Sequence, residues 1–271
     1  MKAYQLSAEY LRNKRSQRKP KVAIILGSGL GSLADAIEDP LIIPYYDIPG
    51  FPTATVHGHK GQLVIGTLGN QEVACMQGRF HLYEGISPEV LQIPLRALKL
   101  IGCEQVLLTN AAGSLHSEMA PGSLMLIEDH INFTGLNPLT GENDEAIGPR
   151  FLDLTQAYDR DMRTSIQRVA KEMKIELHNG VYLWAVGPTF ETPAEIRMFR
   201  LLGADAIGMS TVPETLVARH CGMKVAAISS ITNLGAGMSG NALSHEETLD
   251  EGQKAAKLLG DLIVKWLESL L

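Results

Sequence analysis

Short apolar runs rich in β-branched residues alternate along the chain with longer segments in which apolar residues recur every three or four positions. Several of the short runs contain no polar residue, which is typical of strands covered on both faces. Strands are therefore predicted at residues 22–26, 63–65, 73–76, 106–109, 124–127, 181–186 and 225–229. Because helical patterns lie between them, we predict an α/β fold with a mixed, mostly parallel central sheet flanked by helices.

Start signals precede several of the predicted helices. Thr192 is followed by Pro193 and then by Glu195, the sequence of a capping box with proline at the first helical position. Thr211 and Glu214 repeat the spacing of Thr192 and Glu195 and predict a second capped helix. The same signals predict further helices after Ser87 and Ser244.

Length and composition limit the class of protein. With 271 residues, 45% of them hydrophobic and 20% charged, the chain can bury a large core without disulfides or metals. No internal repeat or Pro/Ser-rich linker divides it, so we expect a single domain over residues 1–271. The least regular stretch, residues 134–150, is rich in Gly, Pro, Asn and Asp and predicts a long functional or mobile loop.

The charge balance argues against a nucleic-acid partner. The chain has 24 Lys and Arg against 30 Asp and Glu, whereas a dedicated nucleic-acid binder usually carries a strong basic excess. Six basic residues do cluster within residues 12–21. We interpret them as a solvated first helix and its exit; the alternative is an electrostatic arm.

Neither a membrane span nor a secretory leader is expected. No apolar stretch reaches 18 residues, and residues 1–20 lack the apolar core of a signal peptide. Cys75, Cys103 and Cys221 are widely spaced in apolar surroundings, which fits reduced, buried thiols better than disulfides or zinc. We therefore expect a cytoplasmic protein.

A glycine-rich loop, GSGLGS at residues 27–32, follows the first predicted strand. Glycines let backbone N–H groups approach an anion, and the Ser28 hydroxyl adds a donor. A dinucleotide fingerprint needs glycine where Ser32 stands, and no P-loop lysine follows, so a lone phosphate fits this loop better than NAD or ATP. A tight turn that binds nothing explains the glycines nearly as well.

Charged and imidazole side chains follow the third predicted strand. Arg79 has the fork of donors that matches phosphate, and Glu84 is near enough to His81 to orient its imidazole across a turn. A structural ion pair is the alternative. His57 and His59 suit an anion contact or a surface turn better than zinc, because no carboxylate or cysteine stands near them.

Three further segments offer groups for a planar ligand. Residues 109–114 (TNAAGS) have small side chains against which a ligand can lie, unless they form a packed loop. Phe190 can stack on a ring and Glu191 can accept hydrogen bonds from its N–H groups; alternatively Phe190 is core and Glu191 complements a helix N-terminus. Asn233 offers a donor and an acceptor to the edge of a base, or is a turn asparagine.

The chain lacks the common motifs of covalent or metal-assisted hydrolysis. It has no Gly-x-Ser-x-Gly elbow and no HExxH sequence. Anion donors, a carboxylate, an amide and stacking side chains remain. This inventory indicates a site for a phosphate and a heterocycle.

The chain resembles the trimeric, 6-oxopurine-specific purine nucleoside phosphorylases in the segments GSGLG, HGH, GRFHLYEG, TNAAGS, RFLDL, GPTFET, GMSTVPE, ARHCG and SITN. The resemblance follows the same order from about Val22 to the last predicted helix, nearly the whole chain. One such motif is weak evidence of kinship, whereas this many in sequence are highly specific.

The resemblance implies a reaction and a set of site residues. The family cleaves purine nucleosides with inorganic phosphate as co-substrate, giving free base and (deoxy)ribose 1-phosphate, without metal or organic cofactor. Phosphate would be bound by Ser28, His59, Arg79, His81, Ser210 and the backbone of Ala111. Base and ribose would be contacted by Tyr83, Phe190, Glu191, Met209, Asn233 and His245, and by Phe151 of a neighbouring subunit in a homotrimer. The implied catalytic residues are Asn233, Glu191, His81 and Glu84.

The chemistry of the family's reaction agrees with these roles. Cleavage leaves an oxocarbenium-like ribose, which phosphate stabilises and attacks, and a purine that gains negative charge. Asn233 would stabilise that charge at N7 and O6, while Glu191 would anchor N1–H. Methylthioadenosine phosphorylases typically carry aspartates where Asn233 stands, so inosine and guanosine are expected over adenosine.

Three alternatives remain at this point. They are a methylthioadenosine phosphorylase, a non-catalytic nucleoside-binding protein and a nicotinamide-dependent oxidoreductase. Residues 234–244 (LGAGMSGNALS) are glycine-rich and follow bacterial members of the family better than mammalian ones. Acceptance of xanthosine stays open.

Overall fold

The computed structural model describes residues 1–52, 59–239 and 245–270, and of residues 245–254 the backbone alone. In this part of the chain the α-helices are α1 (Ala3–Lys14), α2 (Gln92–Ile101), α3 (Arg160–Glu172), α4 (Pro193–Leu201), α5 (Val212–His220) and α6 (His245–Glu268). The strands are β1 (Val22–Ile25), β2 (Glu38–Pro44), β3 (Gln62–Leu68), β4 (Gln71–Gln77), β5 (Gln105–Ser114), β6 (Leu124–Asn132), β7 (Leu177–Trp184), β8 (Ala206–Gly208) and β9 (Lys224–Leu234). None of the described helices is long and apolar enough to cross a membrane.

The strands form one mixed sheet in the order β2-β3-β4-β1-β5-β8-β7-β6-β9. Because β5 also pairs with β9, the strands from β5 to β9 close into a ring, and β1 to β4 extend the sheet from β5. The pairings β1–β4, β1–β5, β5–β9, β6–β7 and β7–β8 are parallel, and the other described pairings are antiparallel. The predicted α/β fold with a mixed sheet is confirmed.

The predicted strands are all present because their apolar runs are buried on both faces. All four residues of β1 are buried, and in β5 and β9 the buried stretch continues beyond the predicted run into polar residues. Two strands had no such signal. β2 lies at the edge of the sheet, is mostly exposed and contains an irregularity between Glu38 and Leu41, while β8 has only three residues.

The two capping-box sequences fold differently. Thr192 accepts a hydrogen bond from the Glu195 N–H (3.2 Å) and Glu195 accepts one from the Thr192 N–H (2.7 Å), as predicted. The helix predicted after Thr211 is present as α5, but the predicted cap is wrong: the Thr211 side chain caps none of the described N–H groups of α5, and its φ is +73°. The reason is that Glu214 lies 3.0 Å from Arg79 instead of turning back to Thr211.

The predicted long loop connects β6 to α3 without regular secondary structure over residues 133–159. It is anchored to the body of the protein near its middle. The Tyr4 hydroxyl donates to Asp144, whose carboxylate also pairs with Lys2 at 2.8 Å. Asn143 Oδ1 lies 3.1 Å from His220 Nε2 at the end of α5.

Several smaller predictions are also met in the described structure. Arg12 donates to the carbonyl of Leu100 (2.7 Å) and Lys21 pairs with Glu104, which fits a solvated first helix and its exit. Ser87 precedes a short 3-10 helix that leads into α2, although its hydroxyl donates to Glu89 rather than capping. The thiols Cys75, Cys103 and Cys221 are free and buried. Ser244 lies outside the described residues.

Candidate active site

One cavity, of about 330 Å³, brings together most of the predicted site residues. Its walls come from the segments at the carboxyl ends of the parallel strands β1, β4, β5 and β9, the edge at which α/β sheets usually bind ligands, and from the segments that follow β7 and β8. Ten of the predicted residues line it: Ser28, Arg79, His81, Tyr83, Ala111, Phe190, Glu191, Met209, Ser210 and Asn233.

Close packing explains why the first residue of the GSGLGS loop, Gly27, is a glycine. A Cβ added at Gly27 would lie 2.7 Å from the Cα of Asn110, so only glycine lets this loop lie against β5. The Gly27 N–H donates to the Thr109 hydroxyl (3.1 Å), which fixes the contact. As a result Ser28 reaches the cavity wall next to Asn110 and Ala111.

Arg79 supplies a fixed cation at one end of the cavity. The side chain is 1% exposed, and its Nη1 donates to the carbonyl of Thr109 (2.7 Å) and the hydroxyl of Ser210 (2.9 Å). Its Nε lies 3.0 Å from a carboxylate oxygen of Glu214. An arginine held in this way presents a permanent positive charge and hydrogen-bond donors to an anion.

His81 forms the next part of the same wall. Glu84 Oε1 accepts a hydrogen bond from the His81 N–H (2.7 Å) and lies 3.3 Å from His81 Nδ1, so the predicted contact across the turn is confirmed. The His81 ring stacks between Tyr83, at 4.7 Å, and His59, at 5.5 Å. Burial, followed by the charge of Glu84, raises the pKa of Tyr83 to about 12, so its phenol stays neutral at physiological pH.

His59 and Glu84 lie behind the described wall of the cavity rather than in it. His59 Nε2 is 3.3 Å from the Ser28 hydroxyl, so His59 reaches the cavity through Ser28. Burial and the neighbouring His81 lower the pKa of His59 to about 4, which keeps the imidazole neutral at pH 7. Gly78 has a φ of +117°, and a Cβ there would lie 2.8 Å from that of His59. His57 lies outside the described residues.

The rest of the cavity wall holds the groups suited to a planar ring. Asn233, one of them, lies at Gly113, four residues along β5 from the Thr109 carbonyl that Arg79 contacts, and we call this part of the cavity its purine end. Phe190 is 39% exposed and lines the cavity, which excludes the alternative that it belongs to the core. Met209 packs so closely on Gly187 that a Cβ there would be 2.2 Å from its sulfur. Burial raises the pKa of Glu191 above its ordinary value. Thr192 and Glu195 complete the start of α4, so Glu191 is not needed as a cap.

Asn233 has an oriented amide. Its Oδ1 accepts a hydrogen bond from the Thr232 hydroxyl (2.9 Å), and its Nδ2 donates to the carbonyl of Leu234 (3.1 Å). Since an amide nitrogen carries two hydrogens, one N–H is left for a ligand. A Cβ at Gly113 would lie 2.9 Å from Nδ2, so glycine is required for the amide to sit here.

Two predicted residues lie apart from the described cavity. Phe151 is 91% exposed and lies in the second half of the long loop over residues 133–159. The backbone of His245 begins α6, and its side chain is outside the described residues, as are residues 240–244. The prediction for His245 is therefore neither met nor contradicted.

The groups that hold Arg79 have no clear signal in the sequence. Glu214 has the spacing of a helix cap, and nothing in its neighbourhood along the chain points to a partner at residue 79. Thr211 accepts hydrogen bonds from Asn110 Nδ2 (2.8 Å) and Arg79 Nη1 (3.3 Å). In the sequence, the only indication of this role is that Thr211, a hydroxyl residue, directly follows Gly208-Met209-Ser210.

The cavity therefore has a cation at one end and a carboxylate and an amide at the other. Among the residues that the structure describes, no group of three or more His, Cys, Asp or Glu side chains could hold a metal ion. Such a distribution suits an anionic group at the Arg79 end and a ring with N–H donors at the Glu191 end.

Comparisons with known proteins point the same way. The model of the phosphorylase superfamily matches residues 21–268. Purine nucleoside phosphorylase 1 of Bacillus subtilis is 51% identical over 235 residues, 87% of this chain and 87% of its own. Purine nucleoside phosphorylase of Rattus norvegicus is 47% identical over 98% of this chain and 94% of its own.

Solved structures agree. Schistosoma mansoni purine nucleoside phosphorylase in complex with inosine matches with a TM-score of 0.94 at 40% identity, covering 99% of this chain and 96% of that one. The resemblance seen in the sequence motifs is confirmed. The chain belongs to the purine nucleoside phosphorylase family of the phosphorylase superfamily.

Proposed function

We propose that this protein cleaves 6-oxopurine nucleosides, inosine and guanosine and their 2′-deoxy forms, with inorganic phosphate. The products are the free purine and (deoxy)ribose 1-phosphate. One observation carries the proposal: the buried guanidinium of Arg79, bonded to Ser210, lines the same cavity as the carboxylate of Glu191 and the amide of Asn233. A cation and two base-reading groups in one cavity match a phosphate and a purine bound side by side.

The phosphate end binds and places the nucleophile. Arg79, Ser210, Ser28 and His81 supply donors, with the backbone at Ala111 closing the cradle. As the C1′–N9 bond breaks, the ribose gains positive charge, and the bound phosphate stabilises it. A phosphate oxygen then forms the new bond to C1′. Glu84 keeps His81 in position because its carboxylate accepts from the His81 backbone N–H and lies 3.3 Å from the imidazole Nδ1.

The purine end accepts the electron pair of the broken bond. The free N–H of Asn233 donates to N7 or O6, where negative charge develops, and binding that strengthens with this charge lowers the barrier. Glu191 accepts a hydrogen bond from N1–H of the base and, in guanosine, a second one from the 2-amino group. Phe190 and Met209 pack on base and ribose, Tyr83 contacts the sugar, and His245 contacts the 5′-hydroxyl.

The related structures support a purine ligand. Schistosoma purine nucleoside phosphorylases have been solved with hypoxanthine, with inosine and with guanosine, and one also with adenosine. Because adenosine occupies such a site in a relative, binding alone does not separate 6-oxo from 6-amino purines. We infer the preference for 6-oxopurines from Asn233, whose N–H has an acceptor partner in O6.

We further propose that the protein is a homotrimer that acts without metal or organic cofactor, in the cytoplasm. Phe151 is 91% exposed on its own subunit, so its ring is free to cover a neighbouring subunit's cavity. The three free, buried cysteines suit a reducing compartment. Sedimentation should give a mass near three times 29.4 kDa, and a monomer would contradict the proposed lid.

A substrate panel tests the proposed reaction. Base release is measured from inosine, guanosine, xanthosine, adenosine and methylthioadenosine, each with and without phosphate. Phosphate-dependent release from inosine and guanosine, with adenosine inert, is the expected result. Release from adenosine or methylthioadenosine would overturn the roles of Glu191 and Asn233. No release from any of them would favour a nucleoside-binding protein.

A further inference from the structure

Arg79 is held from behind by a carboxylate that takes no part in the reaction described above. Its Nε lies 3.0 Å from Oε1 of Glu214, and the two side chains are only 2% and 5% exposed. A different nitrogen, Nη1, donates to the Ser210 hydroxyl at 2.9 Å. The guanidinium is therefore fixed between a carboxylate outside the described lining of the cavity and a hydroxyl within it.

The backbone between Ser210 and Glu214 is shaped to allow this. Thr211 has a φ of +73°, a conformation that β-branched residues rarely adopt and that is found mainly where function requires it. Its hydroxyl accepts from Asn110 Nδ2 (2.8 Å) and Arg79 Nη1 (3.3 Å). The Thr215 hydroxyl donates to the Thr211 carbonyl (2.8 Å), so the unusual turn is bonded on both sides.

We propose that Glu214, supported by Thr211, is a positioning residue for phosphate, an inference that rests on the proposed function. An arginine side chain has several rotatable bonds, and restricting them only when phosphate arrives would weaken binding. The carboxylate of Glu214 holds Nε before phosphate binds and so keeps Nη1 next to Ser210. It also balances the charge of a cation that would otherwise be buried alone.

This role affects one substrate more than the other. Glu214 contacts Arg79 and lies outside the described lining of the cavity, whereas Asn233 at the purine end is held by Thr232. Loss of the carboxylate therefore raises KM for phosphate and leaves KM for the nucleoside almost unchanged. A residue that only stabilised the fold would not separate the two substrates.

Two variants and one control test the proposal. Glu214→Gln keeps the size and one acceptor oxygen but removes the charge, and Glu214→Asp keeps the charge but is one methylene too short for the 3.0 Å contact. Val217→Ala, a buried position on α5, is the control for stability loss alone. KM for phosphate is measured at saturating inosine, KM for inosine at saturating phosphate, and thermal unfolding with and without phosphate.

In both Glu214 variants we expect KM for phosphate to rise about tenfold or more, with KM for inosine changed by less than about twofold. Phosphate should also raise their Tm less than it raises the Tm of the unsubstituted protein, and Val217→Ala should keep the original KM for phosphate. An unchanged KM for phosphate in both Glu214 variants, or an equal rise in Val217→Ala, would overturn the inference.

The experiment separates this inference from the proposed function. If the unsubstituted protein releases no base from inosine, the proposed reaction fails, while the phosphate-induced rise in Tm still compares Glu214→Gln with the original chain. If the unsubstituted protein is active and the variants bind phosphate equally well, only the inference fails. If Glu214→Gln does not fold, Glu214→Asp carries the same comparison.

Discussion

The side chains at the two ends of the cavity differ in how deeply they are buried and how tightly they are hydrogen-bonded. At the phosphate end Arg79 and Ser210 are 1% and 6% exposed and are bonded to each other, and Arg79 is also bonded to Thr109 within β5. At the purine end Phe190 is 39% exposed, and Glu191 lies in the loop between β7 and α4. Changes at the phosphate end should therefore affect both binding and stability, whereas changes at the purine end should affect activity and selectivity with little effect on stability.

The largest effect is expected from Arg79→Met. The substitution removes the cation that binds phosphate and leaves the carboxylate of Glu214 buried without a partner. We expect the free energy of unfolding to fall by about 3–5 kcal/mol. KM for phosphate should rise by about 100-fold or more, since charge-assisted hydrogen bonds are lost. Denaturant unfolding and phosphate kinetics measure the two effects.

A double variant sharpens this prediction. Adding Glu214→Gln to Arg79→Met removes the unpaired charge, so it should restore much of the lost stability without restoring phosphate binding. If Arg79→Met alone unfolds at the same denaturant concentration as the original protein, the buried pair does not contribute as described.

A large but selective effect is expected at the purine end from Asn233→Asp. A carboxylate cannot donate to O6 and repels the charge that develops on a 6-oxopurine. We expect kcat/KM for inosine to fall about 100-fold. The kcat/KM for adenosine, whose 6-amino group can donate to the carboxylate, should fall far less or should rise, while Tm changes little. Equal losses for inosine and adenosine would contradict the assignment of Asn233.

A pH-dependent effect is expected at Glu191. Because burial raises the pKa of Glu191 above 4.5, acidification should protonate this carboxyl before an ordinary one. KM for inosine should therefore rise as the pH falls towards 5, which gives the pH profile an acid limb. Glu191→Gln should lack this acid limb, and its kcat/KM for inosine should be about tenfold or more lower at pH 7.5. Since burial disfavours the ionised form, Glu191→Gln should not lower stability at pH 7. An unchanged acid limb in the variant would exclude Glu191 as its source.

The smallest effect is expected from His59→Asn, because His59 acts through Ser28. With a pKa lowered from 6.5 to about 4, the folded protein binds fewer protons at His59 than the unfolded chain does between these values. Stability should therefore fall on acidification through this range, by at most about 3 kcal/mol from His59. The variant should show a shallower fall in Tm between pH 7 and 4.5. If Tm falls by the same amount in the variant and in the original protein, other histidines cause the effect.

The contrast between the two ends also shows what the sequence could predict. Strand positions follow from apolar runs, and the carboxyl ends of the parallel strands β1, β4, β5 and β9 meet at one edge, which brings together the predicted site residues that follow them. The predicted residues after β7 and β8 join the same cavity because β8 pairs with β5. The edge strand β2 and the three-residue β8 have no such pattern and were missed.

Long-range polar contacts are the part that local patterns do not predict. Thr192 with Glu195 and Thr211 with Glu214 have the same spacing, yet the first pair caps a helix and the second contacts Arg79. The difference arises because Arg79, more than 130 residues away along the chain from Thr211, meets Glu214 only in the folded protein. The role of Phe151 in a neighbouring subunit stays a prediction.

The measurement that tests the central claim most directly is the fate of the ribose. Inosine is incubated with the protein at several phosphate concentrations, and hypoxanthine, ribose 1-phosphate and free ribose are quantified together. We predict one ribose 1-phosphate for each hypoxanthine, and no base release when phosphate is left out. Free ribose in equal amount to hypoxanthine, independent of phosphate, would show hydrolysis and contradict a phosphate site at Arg79.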